Sequence, residues 1–249
     1  MFRAQKTVAA AAVEAKRALK RMARPVGAFD ASRYFRGDHN LGFHNTGSSQ
    51  VRTLAREIYI AQRDRWVVAD AMTFADLLMP DRYLEAKAVG LELLARYRKQ
   101  FPPSVLARCK RWLMNNYSAN WATTDEMCGV IIGPLLEAHP ELIPRMRGWS
   151  KSRNMWVRRA SIVGLLHPMR RGHTLDLVYD IAGTLHADRQ DLIQKAVGWA
   201  LREAGKIDTA RLERYLRANV ALIPRTTFRY AIERFESKRR AQLLGLRRP

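Results

Sequence analysis

Cysteine is nearly absent from this 249-residue chain: Cys109 and Cys128, nineteen positions apart, are its whole complement. Neither a disulfide framework nor a zinc site built on paired cysteines can follow from two such residues, and a reducing cytoplasm suits them. Acidic residues are scarce as well, 23 Asp and Glu against 44 Lys and Arg, for a formal net charge of +21 and a pI near 10.9. Such an imbalance implies a polyanionic partner, nucleic acid ahead of an anionic membrane. No apolar run approaches the roughly 20 residues of a membrane span. In the first 24 residues, which hold seven basic residues and one acid, Glu14, the run Val8 to Val13 is too short for a signal-peptide core. That segment shares its arginine richness with mitochondrial presequences but reads more simply as a basic amphipathic helix ended by "RPVG". The six histidines, at 39, 44, 139, 167, 173 and 186, show no HExxH spacing, and P-loop, GxGxxG and GxSxG patterns are missing. Metal chemistry, nucleotide hydrolysis, dinucleotide binding and acyl transfer therefore all lack their parts, and neither metal nor cofactor is expected.

What is present is apolar residues, 47% of the chain, recurring at helical spacing. "YLEAKAVGLELLARY" and "LIQKAVGWALREA" are typical, and no stretch alternates with period two for long enough to make a strand. Breaks at "RPVG", "LMPD", "FPP", "AHPELIP", "HPMRRG", "LHADR" and "LIPRT" predict helices of 12 to 20 residues joined by short connections. "KAVG" occurs at Lys87 and again at Lys195, 108 residues later, three times 36. The intermediate steps fall on Thr123 and on Arg159, where "RASIVGLL" lies under "KAVGWALR". A period near 36 predicts an all-α, HEAT-like helical-repeat solenoid in which successive inner helices line a concave basic groove. We expect a basic N-terminal helix over 1–24, a single repeat domain over 25–236 and a basic tail over 237–249. Thr123, Arg159 and Lys195 should form a row on one face, with the paired Arg158 beside it, suited to following a phosphate backbone.

Candidate chemistry centres on two helices. Trp121 and Asp125 stand four apart, one turn from each other on a common face, and Trp199 follows Lys195 by the same interval. A carboxylate among indoles can stabilise developing positive charge. The same letters admit another reading: "TTDE" at 123–126 resembles a helix start, with Thr123 as cap, Glu126 completing a capping box and Asp125 set against the helix dipole.

The segments "NWATTDEM", "NMWVRRASIVGLL", "DLIQKAVGWALREAGK" and "IPRTTFRYAIERF", in this order and spacing, resemble the AlkD-like DNA alkylation repair family, the HEAT-like repeat DNA glycosylases, over roughly residues 30 to 236. The resemblance implies a monofunctional glycosylase that releases cationic N3- and N7-alkylated purines from duplex DNA while gripping the backbone, without a deep base-flipping pocket. It places the catalytic aspartate on Asp125, the lesion-side tryptophans on Trp121 and Trp199, the groove arginine on Arg159, and an N-terminal DNA-side tyrosine on Tyr34. Arg158 and Lys195 join them as backbone contacts. It further implies a monomer acting on DNA in the cytoplasm, at the nucleoid, with no membrane partner. Asn120 departs from the family pattern, which often has a tryptophan there. The second reading, from a different class, is a non-catalytic helical-repeat module that binds branched or damaged DNA.

Overall fold

The computed structural model describes residues 7–27, 30, 32, 35 and 41–246, and among these there are helices and connections but no strand. The chain divides into two compact units, Met1–Ile131 and Ile132–Pro249.

The first unit is built on α1 (Val8–Arg21), α2 (Ser48–Gln62), α3 (Val68–Leu78), α4 (Leu84–Ala95), α5 (Val105–Met114) and α6 (Trp121–Met127). Thr7 caps α1 by accepting from the Ala10 N–H at 3.3 Å, and Ala11, Ala12, Ala15, Ala18 and Leu19 are its buried face. Four alanines make that face thin, so α1 lies close on α3, while Lys16 reaches Asp81 at 2.9 Å and Arg17 and Lys20 are exposed. Helix α4 is the hub, packed against α2, α3 and α6. Buried Trp112 on α5 donates its indole N–H to Asp76 at 2.7 Å, and Arg108 and Arg111 of the same helix bind the same carboxylate.

The second unit holds α7 (Gly133–Ala138), α8 (Arg145–Ser150), α9 (Met155–Val163), α10 (Leu166–Arg170), α11 (Leu175–Leu185), α12 (Asp191–Gly205), α13 (Thr209–Ala218), α14 (Arg225–Ala231) and α15 (Ser237–Gly245). Here α12 is the hub, touching α9, α11, α13 and α14. The tail helix α15 is docked on α13 by the ion pair of Arg239 with Glu213, and Leu243 is buried. Several helices are shorter than the breaks predicted. "HPMRRG" breaks the helix only at its end: Pro168 lies in the first turn of α10, where its missing N–H costs nothing, α10 stops at Arg170 and Gly172 turns the chain at φ 88°, while a further break falls earlier, at Gly164 and Leu165.

The repeat is visible in the hydrogen bonds. Inside the first unit, Trp112 reaches Asp76 across 36 residues and Lys87 reaches the Tyr117 carbonyl across 30. Inside the second, Arg159 reaches Leu192, Arg170 reaches Glu203 and Thr227 reaches Gln194, each across 33 residues. Polar side chains thus tie one helix pair to the next at about one period, which is how a helical-repeat fold joins neighbours. The twice-occurring "KAVG" has its own packing cause. A Cβ on Gly90 would come within 3.3 Å of Leu78 Cβ, and one on Gly198 within 2.4 Å of Tyr230 Cβ. Each glycine marks a place where two helices nearly touch backbones.

Candidate functional site

Helix α6 starts at Trp121. Asn120 is the N-cap, extended at φ −152° and ψ 156°, and its side-chain oxygen accepts from the Thr123 N–H at 2.8 Å. The unusual asparagine therefore has a structural task. Thr123 is not the cap but the third helical residue and is buried, Asp125 stands beyond the first turn, and Glu126 closes no capping box. The reading of "TTDE" as a helix start is corrected: a true N-cap needs extended backbone dihedrals, and only Asn120 has them. Thr123, Thr124 and Met127 form the inward face, with the Thr124 hydroxyl donating to the Ser118 carbonyl at 2.8 Å. That leaves Trp121 and Asp125 partly exposed, one turn apart on the same side. The Trp121 ring stacks on Phe35 with centroids 5.3 Å apart and planes at 11°, and Phe35 leans on Phe43 at 5.2 Å. Tyr34 lies outside the described residues.

In the second unit, Asn154 caps α9 by accepting from the N–H groups of Trp156 and Val157 at 2.8 and 3.3 Å. Arg158 binds Asp188 at 2.6 Å and donates to the carbonyls of Ser152 and Arg153, both at 2.9 Å, so it clasps the connection before its own helix. Arg159 is 5% exposed and donates to the Leu192 carbonyl in the first turn of α12. Lys195, on α12, is 40% exposed and pairs with Asp191 at 2.7 Å, which holds its pKa above the usual lysine value. Trp199 follows one turn later, half-buried, next to the close contact at Gly198.

Packing treats the members of the expected row of Thr123, Arg159 and Lys195 unequally, and Lys87, which carries the first "KAVG", is more enclosed than Lys195. Lys87 is 5% exposed, its ammonium shared by the Met79 and Tyr117 carbonyls at 2.7 and 2.8 Å. Met79 caps the C-terminus of α3, where unpaired carbonyls attract a cation. Register positions on helices that pack tightly are consumed by helix-to-helix bonds, and of Lys87, Thr123, Arg159 and Lys195 only the last keeps a large exposed fraction.

Residues 15–235 match the family described as DNA alkylation repair enzyme. The chain belongs to that family. Among solved structures, the predicted DNA alkylation repair enzyme from Enterococcus faecalis superposes with a TM-score of 0.69 at 15% identity, covering 95% of this chain and 100% of that one. Protein smu.31 from Streptococcus mutans UA159 superposes at 0.54 with 17% identity, over 80% of this chain and 90% of that one. These neighbours share the all-α helical-repeat fold. Among curated protein sequences there is no significant match.

The sequence reading missed what borders α6 on its other side. A cavity of 610 Å³ in the first unit is lined by Phe35, by Asn45 to Ser48 ahead of and at the start of α2, by Val51 and Arg52, by Leu84, Glu85, Ala88 and Glu92 of α4, and by Trp121, Ala122 and Glu126. Asp125 is not among the lining residues. Burial foremost, and then the charge of Glu92, pushes the Glu126 carboxyl up to about 8 against the pull of Arg52. The only sequence signal for this arrangement was Glu126 itself, which local spacing assigned to a cap. The two cysteines are buried and form no disulfide, and burial pushes Cys109 up to about 12. No helix among the described residues is long and apolar enough to cross a membrane.

Proposed function

We propose that this member of the DNA alkylation repair family is a monofunctional glycosylase that hydrolyses the N-glycosidic bond of cationic N3- or N7-alkylated purines in duplex DNA. The observation that carries the reading is the presentation of Asp125 beside Trp121 on α6, freed from any helix-start role by the Asn120 cap.

Alkylation makes the purine a cation, so when the bond from C1′ to the base breaks, the electron pair leaves with a neutral base and the sugar takes on oxocarbenium character. The Asp125 carboxylate stabilises that charge and orients a water toward C1′; the water oxygen forms the new bond and its proton passes to the carboxylate or to solvent. The Trp121 ring, held by Phe35, offers an electron-rich wall to the cationic sugar. The family resemblance further implies Trp199 as a lesion-side tryptophan, Arg159 as a groove arginine and Tyr34 as an N-terminal DNA-side tyrosine, and the basic row adds Lys195 and Arg158 as backbone contacts. The partial exposure of Lys195 supports direct contact with a phosphate, whereas Arg158 and Arg159 also bond within the protein, to Asp188 and to the Leu192 carbonyl. Selection then follows how readily the charged base leaves, so no base-reading pocket is needed at Asp125. The net charge of +21 supports contact with the phosphates of duplex DNA, and the protein is proposed to act there as a monomer in the cytoplasm.

The test is release of N7-methylguanine from a duplex oligonucleotide without added metal, beside Asp125→Asn with folding and DNA binding checked. Loss of one preorganised electrostatic group should lower base release by about 10²–10³-fold. Tight duplex binding with no release of N7- or N3-methylpurines would instead make the protein a non-catalytic module for branched or damaged DNA.

A further inference from the structure

The 610 Å³ cavity beside α6 inverts the charge of the chain around it. Across the sequence basic residues outnumber acidic ones 44 to 23, yet the described residues of this wall include three carboxylates, Glu85, Glu92 and Glu126, and one arginine, Arg52. Glu85 is already spoken for: it is buried and accepts from the His44 N–H at 3.0 Å and the Thr46 N–H at 3.3 Å, fixing the segment ahead of α2. Those N–H groups are therefore not on offer to an incoming anion. Glu126 makes no hydrogen bond to any described residue, and its neighbours of either sign are Glu92 on α4 and Arg52 on α2. The remaining surface is the Phe35–Trp121 stack with Val51, Leu84, Ala88 and Ala122, bordered at the α2 end by Asn45, Thr46, Gly47 and Ser48.

We propose that this cavity is a binding site for a planar aromatic cation no larger than a purine nucleoside, stacked on the Phe35–Trp121 pair and neutralised by Glu92 and Glu126. Electron-rich ring faces attract cations, and two carboxylates supply the counter-charge. A bare divalent ion fits less well, because calcium takes six to eight oxygens in its shell, whereas Glu85 is occupied by backbone N–H groups and the wall nearest Trp121 is aromatic and aliphatic. The volume falls within the roughly 300–1,000 Å³ of small-molecule sites. Glu126 gives the site a proton switch. Below about pH 8 its carboxyl holds a proton, so a cation arriving between Glu92 and Glu126 expels that proton and exchanges one positive charge for another. If the cation is an N-alkylated purine, that identity rests on the proposed glycosylase activity; cation binding itself does not.

Isothermal titration of the full chain with 1-methylquinolinium, permanently charged, and with quinoline, neutral near pH 8, tests this directly. The cation should bind at least tenfold more tightly than quinoline at pH 8.5. Its affinity should fall about tenfold or more at pH 6.5, since each unit below the carboxyl's own value costs close to tenfold. Near pH 7 the heat should differ between phosphate and Tris buffers, reporting the released proton. Glu126→Gln, which copies the shape of the protonated acid, should reduce the cation to the affinity of quinoline and remove the pH dependence. Glu92→Gln, on a different helix, should weaken the cation and move the dependence to lower pH. Equal affinity for the two probes, unaltered cation binding in Glu126→Gln, or no binding of either would overturn the proposal. Base release assayed in parallel keeps the two readings separate, since it can persist without cation binding and the reverse holds too.

Discussion

Replacing Gly198 by alanine puts a methyl group where α12 and α14 leave no room for one. The new Cβ would lie 2.4 Å from Tyr230 Cβ, 2.7 Å from the Thr227 carbonyl oxygen and 3.2 Å from Thr227 Cα. Carbon atoms sit comfortably at about 3.5–4.0 Å, so the helices must part by more than about 1 Å. None of the three atoms is the tip of a flexible side chain, and the 2.9 Å bond from the Thr227 hydroxyl to the Gln194 carbonyl is strained with them. Overpacking of this kind costs about 1–3 kcal/mol, and this site belongs near the top of that range. With about 2–4 °C of melting temperature per kcal/mol for a chain of this size, a loss approaching 10 °C is expected. Gly148→Ala is the control. It lies in α8, nothing stands within 4 Å of its would-be Cβ, and the substitution should stabilise by about 0.5–1 kcal/mol through helix propensity and a less flexible unfolded chain. Thermal melts of both variants, with base release measured well below the transition, read the two effects. Because Trp199 adjoins the contact, a shift of 1 Å should also lower release, by up to about 10²-fold. A Gly198→Ala protein that melts at or above the wild-type temperature would refute the argument from close approach.

Three other outcomes are expected. Buried His186 bonds Tyr215 through Nε2 at 2.7 Å, its Nδ1 has no partner among the described residues, and desolvation lowers its pKa to about 4. The unfolded chain then binds the proton more tightly between pH 4 and 6.5, so stability is complete above about 6.5 and lost as pH falls, by about 2 kcal/mol from pH 7 to pH 5. His186→Gln should flatten that part of a melting-temperature profile, and an unchanged slope would assign the loss to other groups. Asn120→Ala removes the α6 cap at a cost of about 1 kcal/mol, and Asn120→Ser should restore most of it. Since the cap orients the helix of Trp121 and Asp125, base release should fall further than stability does; a proportionate fall would mark Asn120 as structural only. Duplex affinity should drop by about 10³-fold or more between 50 and 200 mM salt if several phosphates are neutralised, and a shallow dependence would argue against a backbone-gripping mode.

The helical class and the family were legible in the sequence because each depends on local order: apolar spacing within one helix, and motifs of consecutive letters. Trp121 and Asp125 as neighbours followed from the same rule, since residues four apart on any helix share a face. What surrounds them did not. The exposure of a basic residue depends on the carbonyls another helix brings to it, and this is why Lys87 and Arg159 are buried donors while Lys195 reaches solvent. The capping role of Asn120 turned on its own extended dihedrals, which single-letter preferences ranked below those of the following "TTDE". Phe35, Glu92 and Glu126 stand far apart in the chain and belong to no motif. Only the packing of α2, α4 and α6 could place them around one cavity and, by taking water from a carboxyl beside a like charge, leave Glu126 protonated near neutral pH.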